Sequence, residues 1–335
     1  MTQTSLRRPA LTVATSVYNG ARYLPAAIES VLGQSFGDFE FLLLDDGSSD
    51  ASRSIAEGYA ARDARIRVIA RANRGLVASL NELFAEARAP LVARFDADDI
   101  CMPDRFEHQL AFLADNPDHG LVGSATCYID AEGAPATNPP IERPITNEAL
   151  LANLKDGPLL CHSAVLVQRD LVREVGGYRS AYTHAEDYDL WLRLSRRTRM
   201  HNLPQCLLAY RISDGQVSSR HMVTQARNAA IAWLAHTAVT EGCPDPTEAL
   251  DTLPPLADLD ALFGPGSAAF VRHRVVSRAL YAPHTLAGEG WQMLLDHIAD
   301  VGSDSRLWRL ALRLLRAGRP LQAAQAAVKL ARHAA

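Results

Sequence analysis

Three carboxylates stand within four residues at Asp96-Ala97-Asp98-Asp99, directly after the apolar run Val92-Ala93-Arg94-Phe95. Like charges this close repel and raise one another's pKa values unless a cation or buried donors offset them. Hard oxygen donors suit Mg²⁺ or Mn²⁺, which hold phosphates through one or two carboxylates and leave the remaining positions to water and substrate. Two plainer readings compete: a solvated acidic turn, or caps for a helix starting near Pro103. A calcium EF-hand loop is excluded, because Cys101 takes the position that requires glycine and Pro103 interrupts the loop.

A second acidic strand end lies upstream, where Phe39-Glu40-Phe41-Leu42-Leu43-Leu44 runs into Asp45-Asp46-Gly47-Ser48-Ser49-Asp50. Ligands of open α/β sheets bind outside the carboxyl ends of the strands, so both acidic turns are expected to face one crevice. A turn is expected at Gly47, with Ser49 or Asp50 as cap of the next helix and Asp50 the favoured one.

The elements that must position these groups alternate. Strands are predicted at 10–17, 39–45, 66–70, 91–96 and 120–129, with helical periodicity near 22–34, 51–61, 77–87 and 103–115. That order predicts a mostly parallel central sheet flanked by helices, with right-handed crossovers bringing the strand ends to one side. Residues 133–158, rich in Pro, Asn and Thr, read as an irregular excursion. A short strand over 163–168 precedes Gly176-Gly177-Tyr178 and a helix over 186–197, whose Leu190, Trp191 and Leu194 are expected in the core.

Composition fits an enzyme-sized core: 335 residues, 48% hydrophobic, 21% charged, with net charge −4. Neither that charge nor any aromatic-basic array points to nucleic acid. The five cysteines are odd in number and lack a C-x-x-C pair, so no disulfide framework or zinc site is predicted and a cytoplasmic location is expected. No apolar run is long enough to span a membrane, and Leu11 to Val17 reads as a first strand rather than a cleaved signal.

In order along the chain, Ser16-Val17-Tyr18-Asn19, Asp45-Asp46-Gly47-Ser48-Ser49-Asp50, Asn73-Arg74-Gly75, Asp96-Ala97-Asp98-Asp99, Met102-Pro103-Asp104-Arg105, Gly176-Gly177-Tyr178 and Glu186-Asp187-Tyr188-Asp189-Leu190-Trp191 closely resemble the family-2 glycosyltransferases, over roughly 9–219. The resemblance implies a GT-A fold, a nucleotide-sugar donor, a divalent metal (Mn²⁺ or Mg²⁺) and inversion at the anomeric carbon. It implies a catalytic domain over 1–219, with donor binding in 9–130 and the acceptor side in 131–219, followed by a helical region over 220–335.

Carried over residue by residue, the resemblance places Ser16 and Tyr18 beside the base and makes Asp46 the acceptor for the imide N–H that uracil and thymine carry. A UDP-sugar is therefore the expected donor, and a dTDP-sugar the alternative. Arg74 and Gly75 belong to the donor side. Asp96 lies near the ribose, Asp98 is the metal ligand, and Asp99 either holds a metal-bound water or caps the next helix. Asp187 is the general base for the acceptor hydroxyl, with Glu186 orienting that base or the acceptor. Acidic residues also suit a helix's first turn, which is the structural alternative for this pair. His162, rather than His184, is the candidate for acceptor contact, while Gly177, Arg211 and Gln216 lie in segments that close the site. Arg211 is expected to pair with a phosphate or a carboxylate.

Beyond about 220 the chain turns Ala-, Leu- and Arg-rich, and prolines break it into short helices. From Ser305 on there are seven Lys or Arg and no acid, with Arg306, Arg309 and Arg313 beside Leu307, Leu310 and Leu314. Two readings stay open: peripheral contact with the inner face of the cell membrane, or a solvated helical hairpin turned at Gly318-Arg319-Pro320. The expected partners are a UDP-sugar and a glycan or lipid-linked acceptor. Rival functions are a non-catalytic nucleotide-sugar-binding protein and a metal-dependent sugar-nucleotide hydrolase or nucleotidyltransferase.

Overall fold

The computed structural model describes residues 8–137, 142–212, 221–279, 286, 288–302 and 305–332. The chain forms two compact units, Met1–Ser180 with Leu190–Asp214, and Ala181–Asp189 with Gly215–Ala335.

The first unit is built on eight strands: β1 (Leu11–Val17), β2 (Phe39–Asp45), β3 (Ile66–Ala70), β4 (Leu91–Arg94), β5 (Ile100–Cys101), β6 (His119–Ile129), β7 (Leu166–Gln168) and β8 (Arg199–Arg211). They form one sheet in the order β3-β2-β1-β4-β7-β6-β8-β5. β1, β2, β3 and β4 run parallel, as expected, and β6 is parallel to β8. β7 is antiparallel to both β4 and β6, and β5 to β8, so the sheet is mixed. All seven residues of β2 are buried, which is why it reads as a continuous apolar run rather than an alternation.

Helices α1 (Leu24–Leu32), α2 (Ser52–Ala60), α3 (Leu76–Glu86) and α4 (Arg105–Asp115) follow the predicted periodicity. In α1 the buried Leu24, Ala27, Ile28 and Val31 repeat at i, i+3, i+4 and i+7, joining the core cluster that includes Val13, Phe41 and Leu43. Each large aliphatic of that face contributes roughly 1.5–3 kcal/mol by leaving water.

Three expectations need correction. The stretch read as irregular contains α5 (Asn147–Asn153), capped by Thr146 Oγ1 accepting from Ala149 N at 3.3 Å. The strand expected over 163–168 is a 3₁₀ turn followed by β7, and α6 (Arg169–Glu174) comes next. Cys127 and Cys206 are joined as a disulfide, although their sequence separation of 79 carries no signal. Pairing of β6 with β8, irregular near Ser124 and Ala125, brings them together. Helix α7 (Glu186–Leu194) stops earlier than expected, and its Leu190, Trp191 and Leu194 are buried as predicted.

The second unit continues with α8 (Met222–Thr240), α9 (Leu259–Phe263), α10 (Ser267–Ala279), α11 (Glu289–Val301), α12 (Ser305–Arg316) and α13 (Pro320–Arg332). α10 packs on α8 and α11, and α12 pairs with α13. Gly318, at φ +73°, turns the α12–α13 hairpin where expected, and Arg319 N closes it on Leu314 O at 2.9 Å.

Candidate functional site

The sheet register gathers the acidic ends. Val17 lies opposite Asp45 and Ala14 opposite Arg94, so the parallel strands β2, β1 and β4 release Asp46, Tyr18 and Asp96 from the same edge. Asp46 N donates to Val17 O at 2.8 Å, and Thr15 Oγ1 to Phe95 O at 2.9 Å, extending the ladder into both turns. Ser16 is half-buried at this edge. Tyr18 is 57% exposed, so its ring is not part of the core.

The turns after β1 and β2 are laced together. Asn19 Oδ1 accepts from Ser49 N at 2.8 Å, and Asn19 N donates to Ser48 Oγ at 2.9 Å. Asp50 accepts from Ser52 N at 2.9 Å and from Ala21 N at 3.0 Å, so it closes the start of α2 and ties down the facing turn. Gly47, at φ +76°, is required here: a Cβ would lie 2.6 Å from Asn73 N.

Asp46 is buried, and its carboxylate is heavily engaged. It accepts from Arg74 N and Gly75 N, each at 2.9 Å, and pairs with the Arg71 guanidinium. Arg71 also reaches Glu82 at 2.7 Å and Ser79 Oγ at 2.9 Å. Asp46 thus shapes the 71–75 loop, with room left on its oxygens for one further donor. Arg74 and Gly75 meet it through backbone N–H groups, and the Arg74 side chain is 63% exposed.

The second acidic end is built differently. Carboxylate oxygens of Asp96, Asp98 and Asp99 all lie within 4.8 Å of one another. Burial, with Asp96 beside it, pushes the Asp98 carboxyl up to about 6. The same causes, joined by Asp98, raise Asp99 well above the usual carboxylate range. Asp99 Oδ1 accepts from Arg211 N at 2.9 Å and the nearby Ser163 hydroxyl partly offsets the rise, whereas the buried Oδ2 has no donor within hydrogen-bond distance. Asp99 is therefore no helix cap; Asp104 stands at the start of α4. Three crowded oxygen donors with one unsatisfied buried atom fit a hard divalent cation.

Basic and hydroxyl side chains from several segments hold this turn. Arg94 is buried and pairs with Asp96. Arg105, fully buried, donates to Arg94 O at 2.9 Å and Val165 O at 3.2 Å, clamping the end of β4 to the approach to β7. Ser163 Oγ accepts from Asp96 N at 2.9 Å. The Arg211 guanidinium donates to the carbonyls of Asp98 at 2.7 Å, Asp130 at 2.9 Å and Ala131 at 3.2 Å, buttressing the acidic turn through backbone, and its charge favours the ionised form of Asp98. Gln216 lies outside the described residues.

His162 bonds the Tyr178 hydroxyl at 2.9 Å through Nε2 and meets the Trp191 ring edge-on. Burial, with nearby Arg94, holds its pKa well below the usual histidine range. Gly177, at φ +71°, follows α6; a Cβ there would lie 2.6 Å from Asn81 Oδ1. The Asn81 amide accepts from Tyr178 N and donates to Tyr178 O, each at 2.8 Å, so Gly177 permits the clamp that fixes Tyr178.

Glu186 and Asp187 open α7 in the second unit. Glu186 is buried, Asp187 is half-buried, and Asp187 Oδ1 accepts from Tyr188 N at 2.7 Å. The segment leading into them is anchored within that unit: Thr183 O accepts from Asn228 Nδ2 of α8 at 2.9 Å, and the Tyr182 hydroxyl bonds Thr247 Oγ1 at 2.7 Å. His184, at φ +68°, stacks on His221 at 4.1 Å.

The architecture is that of GT-A transferases. S. aureus TarS in complex with UDP superposes with a TM-score of 0.55 at 15% identity, over 96% of this chain and 87% of that one. PcManGT, a mannosyltransferase from Pyrobaculum calidifontis in complex with GDP-Man and Mn²⁺, superposes with a TM-score of 0.52 at 18% identity, over 97% and 88%. Such identities establish the fold alone. Family membership comes from sequence: residues 12–176 match Glycosyl transferase family 2. EpsE of Bacillus subtilis (strain 168), a glycosyltransferase by name, is 32% identical over 232 residues, 68% of this chain and 82% of EpsE. The amylovoran biosynthesis glycosyltransferase AmsE of Erwinia amylovora is 30% identical over 214 residues, 62% and 78%. The chain belongs to glycosyltransferase family 2.

Proposed function

We propose that the protein transfers a sugar from a UDP-sugar, with a dTDP-sugar as the alternative, to a hydroxyl acceptor with inversion. The observation that carries this reading is the convergence of Tyr18, Asp46 and the Asp96–Asp99 turn at one edge of three parallel strands. An exposed aromatic ring offers a stacking face for a base, and a carboxylate with an acceptor position to spare selects a ring that carries an N–H. Asp98 and Asp99 would hold Mn²⁺ or Mg²⁺, which when bound neutralises charge on the leaving diphosphate. Asp96 serves the ribose, and His162 and Gly177 belong to the acceptor side.

Asp187 takes the proton from the acceptor hydroxyl, whose oxygen attacks the anomeric carbon as the bond to UDP breaks. Glu186 orients Asp187 or the acceptor. The acceptor is a growing cell-surface polysaccharide or glycolipid; support comes from the names of AmsE and of WbnJ of Escherichia coli, an O-antigen biosynthesis glycosyltransferase 27% identical over 209 residues.

UDP with Mn²⁺ should raise the thermal midpoint, and chelation should remove most of that gain. Asp187→Asn should slow transfer by about 10²–10⁴-fold with UDP-sugar affinity nearly unchanged. Equal UDP stabilisation with and without chelator would defeat the metal bridge, and normal turnover in Asp187→Asn would pass the base role to Glu186.

A further inference from the structure

Large apolar side chains are exposed unevenly. Among the described residues ten are exposed, and six of them, Val301, Trp308, Leu312, Leu315, Leu321 and Val328, fall between 301 and 332. On α12 the buried stripe Leu307, Leu310, Ala311 and Leu314 is spent on packing. Trp308, Leu312 and Leu315 repeat at i, i+4 and i+7 and form a second, exposed stripe. α13 repeats the arrangement: Ala323, Ala326 and Leu330 are buried, while Leu321 is 81% and Val328 53% exposed.

Charge accompanies the stripe. Arg306, Arg309, Arg313 and Arg316 are exposed on α12 and Arg332 on α13, and from Ser305 onward the sequence contains no Asp or Glu. We propose that this face of the terminal hairpin docks on an anionic lipid surface. The apolar stripe enters the acyl boundary, the Arg stems lie along it with their guanidinium groups at the phosphates, and Trp308 sits at the interfacial level. A second copy is a poorer occupant, because a two-fold contact would bring the same cationic row against itself. The inference is independent of the donor chemistry: residues of the acidic turns take no part in it.

The test is sedimentation of the full-length protein with vesicles of phosphatidylcholine alone or mixed with phosphatidylglycerol. Binding should require phosphatidylglycerol and weaken at least about tenfold in high salt, since each cation near such a surface contributes about 1 kcal/mol. Leu312→Glu/Leu315→Glu should abolish it, and Arg309→Gln/Arg316→Gln should weaken it about tenfold or more, both with unchanged circular dichroism and UDP-dependent stabilisation. The arginine variant keeps the question open to measurement if the leucine variant fails to fold. No pelleting with phosphatidylglycerol at low salt overturns the proposal. So does wild-type self-association that the leucine variant disperses, or retained binding in both variants.

Discussion

The two acidic strand ends of the sheet are chemically alike in sequence and opposite in structure. At the end of β2, Asp46 is met by Arg71 and by two backbone N–H groups, so its charge is absorbed by protein donors. Beyond β4, Asp96, Asp98 and Asp99 crowd one another, and Asp99 keeps a buried oxygen without a donor. A carboxylate matched by its own fold builds a loop, whereas carboxylates set against one another repel and are relieved by a cation.

The largest separation between these ends should come from Asp98→Ala. Loss of a metal ligand should cut transfer by roughly 10²–10³-fold, a magnitude typical of losing one transition-state charge stabiliser. Metal-free stability should nonetheless hold or rise, since one member of a repelling set is gone. Turnover assays beside chelated thermal melts read both quantities, and a protein destabilised by Asp98→Ala would mean that the turn is a structural network after all.

Asp46→Ala should do the converse. It removes one of the two carboxylates that meet the Arg71 guanidinium, leaving Glu82, and frees two N–H groups. Leaving those donors unmet should cost about 1–3 kcal/mol, measurable by chemical denaturation with neither donor nor metal present. If Asp46→Ala lost UDP affinity at full stability, the carboxylate would be serving the base alone.

The smallest expected effect is a pH dependence at His162. Its folded pKa lies below the unfolded value of about 6.5, because burial and Arg94 disfavour the imidazolium. The folded protein therefore binds fewer protons, so this contribution to stability is complete above about pH 6.5 and is lost as pH falls below it. His162→Gln should flatten the decline by up to about 1.4 kcal/mol per pH unit. An unaltered slope would mean that some other group governs acid sensitivity.

Much of this was legible before folding was considered. Each acidic turn follows an apolar run that could only be a buried strand, and local spacing carries that information. Crowding marks the Asp96–Asp99 turn, and the family resemblance singles out Asp98 as its metal ligand. The burial of Arg105 was not legible: nothing in Met102-Pro103-Asp104-Arg105 signals that this side chain will be fully buried against Arg94 O and Val165 O, the latter distant in sequence.

The sequence by itself determined the alternation of β1 to β4 and β6 with α1 to α4, the turn at Gly47, the hairpin at Gly318 and the presence of two acidic strand ends, because periodicity and turn chemistry act between near neighbours. Only the tertiary structure decided what those ends are. It paired Asp46 with Arg71, Arg74 and Gly75 while leaving Asp99 short of a donor, turned Arg211 onto the carbonyls behind the acidic turn, joined Cys127 to Cys206, and anchored the approach to Asp187 on Asn228 and Thr247. Each of these depends on which donor arrives from a distant segment, and hydrogen-bond satisfaction of a buried group is fixed by that arrival rather than by the residue's own neighbours in the chain.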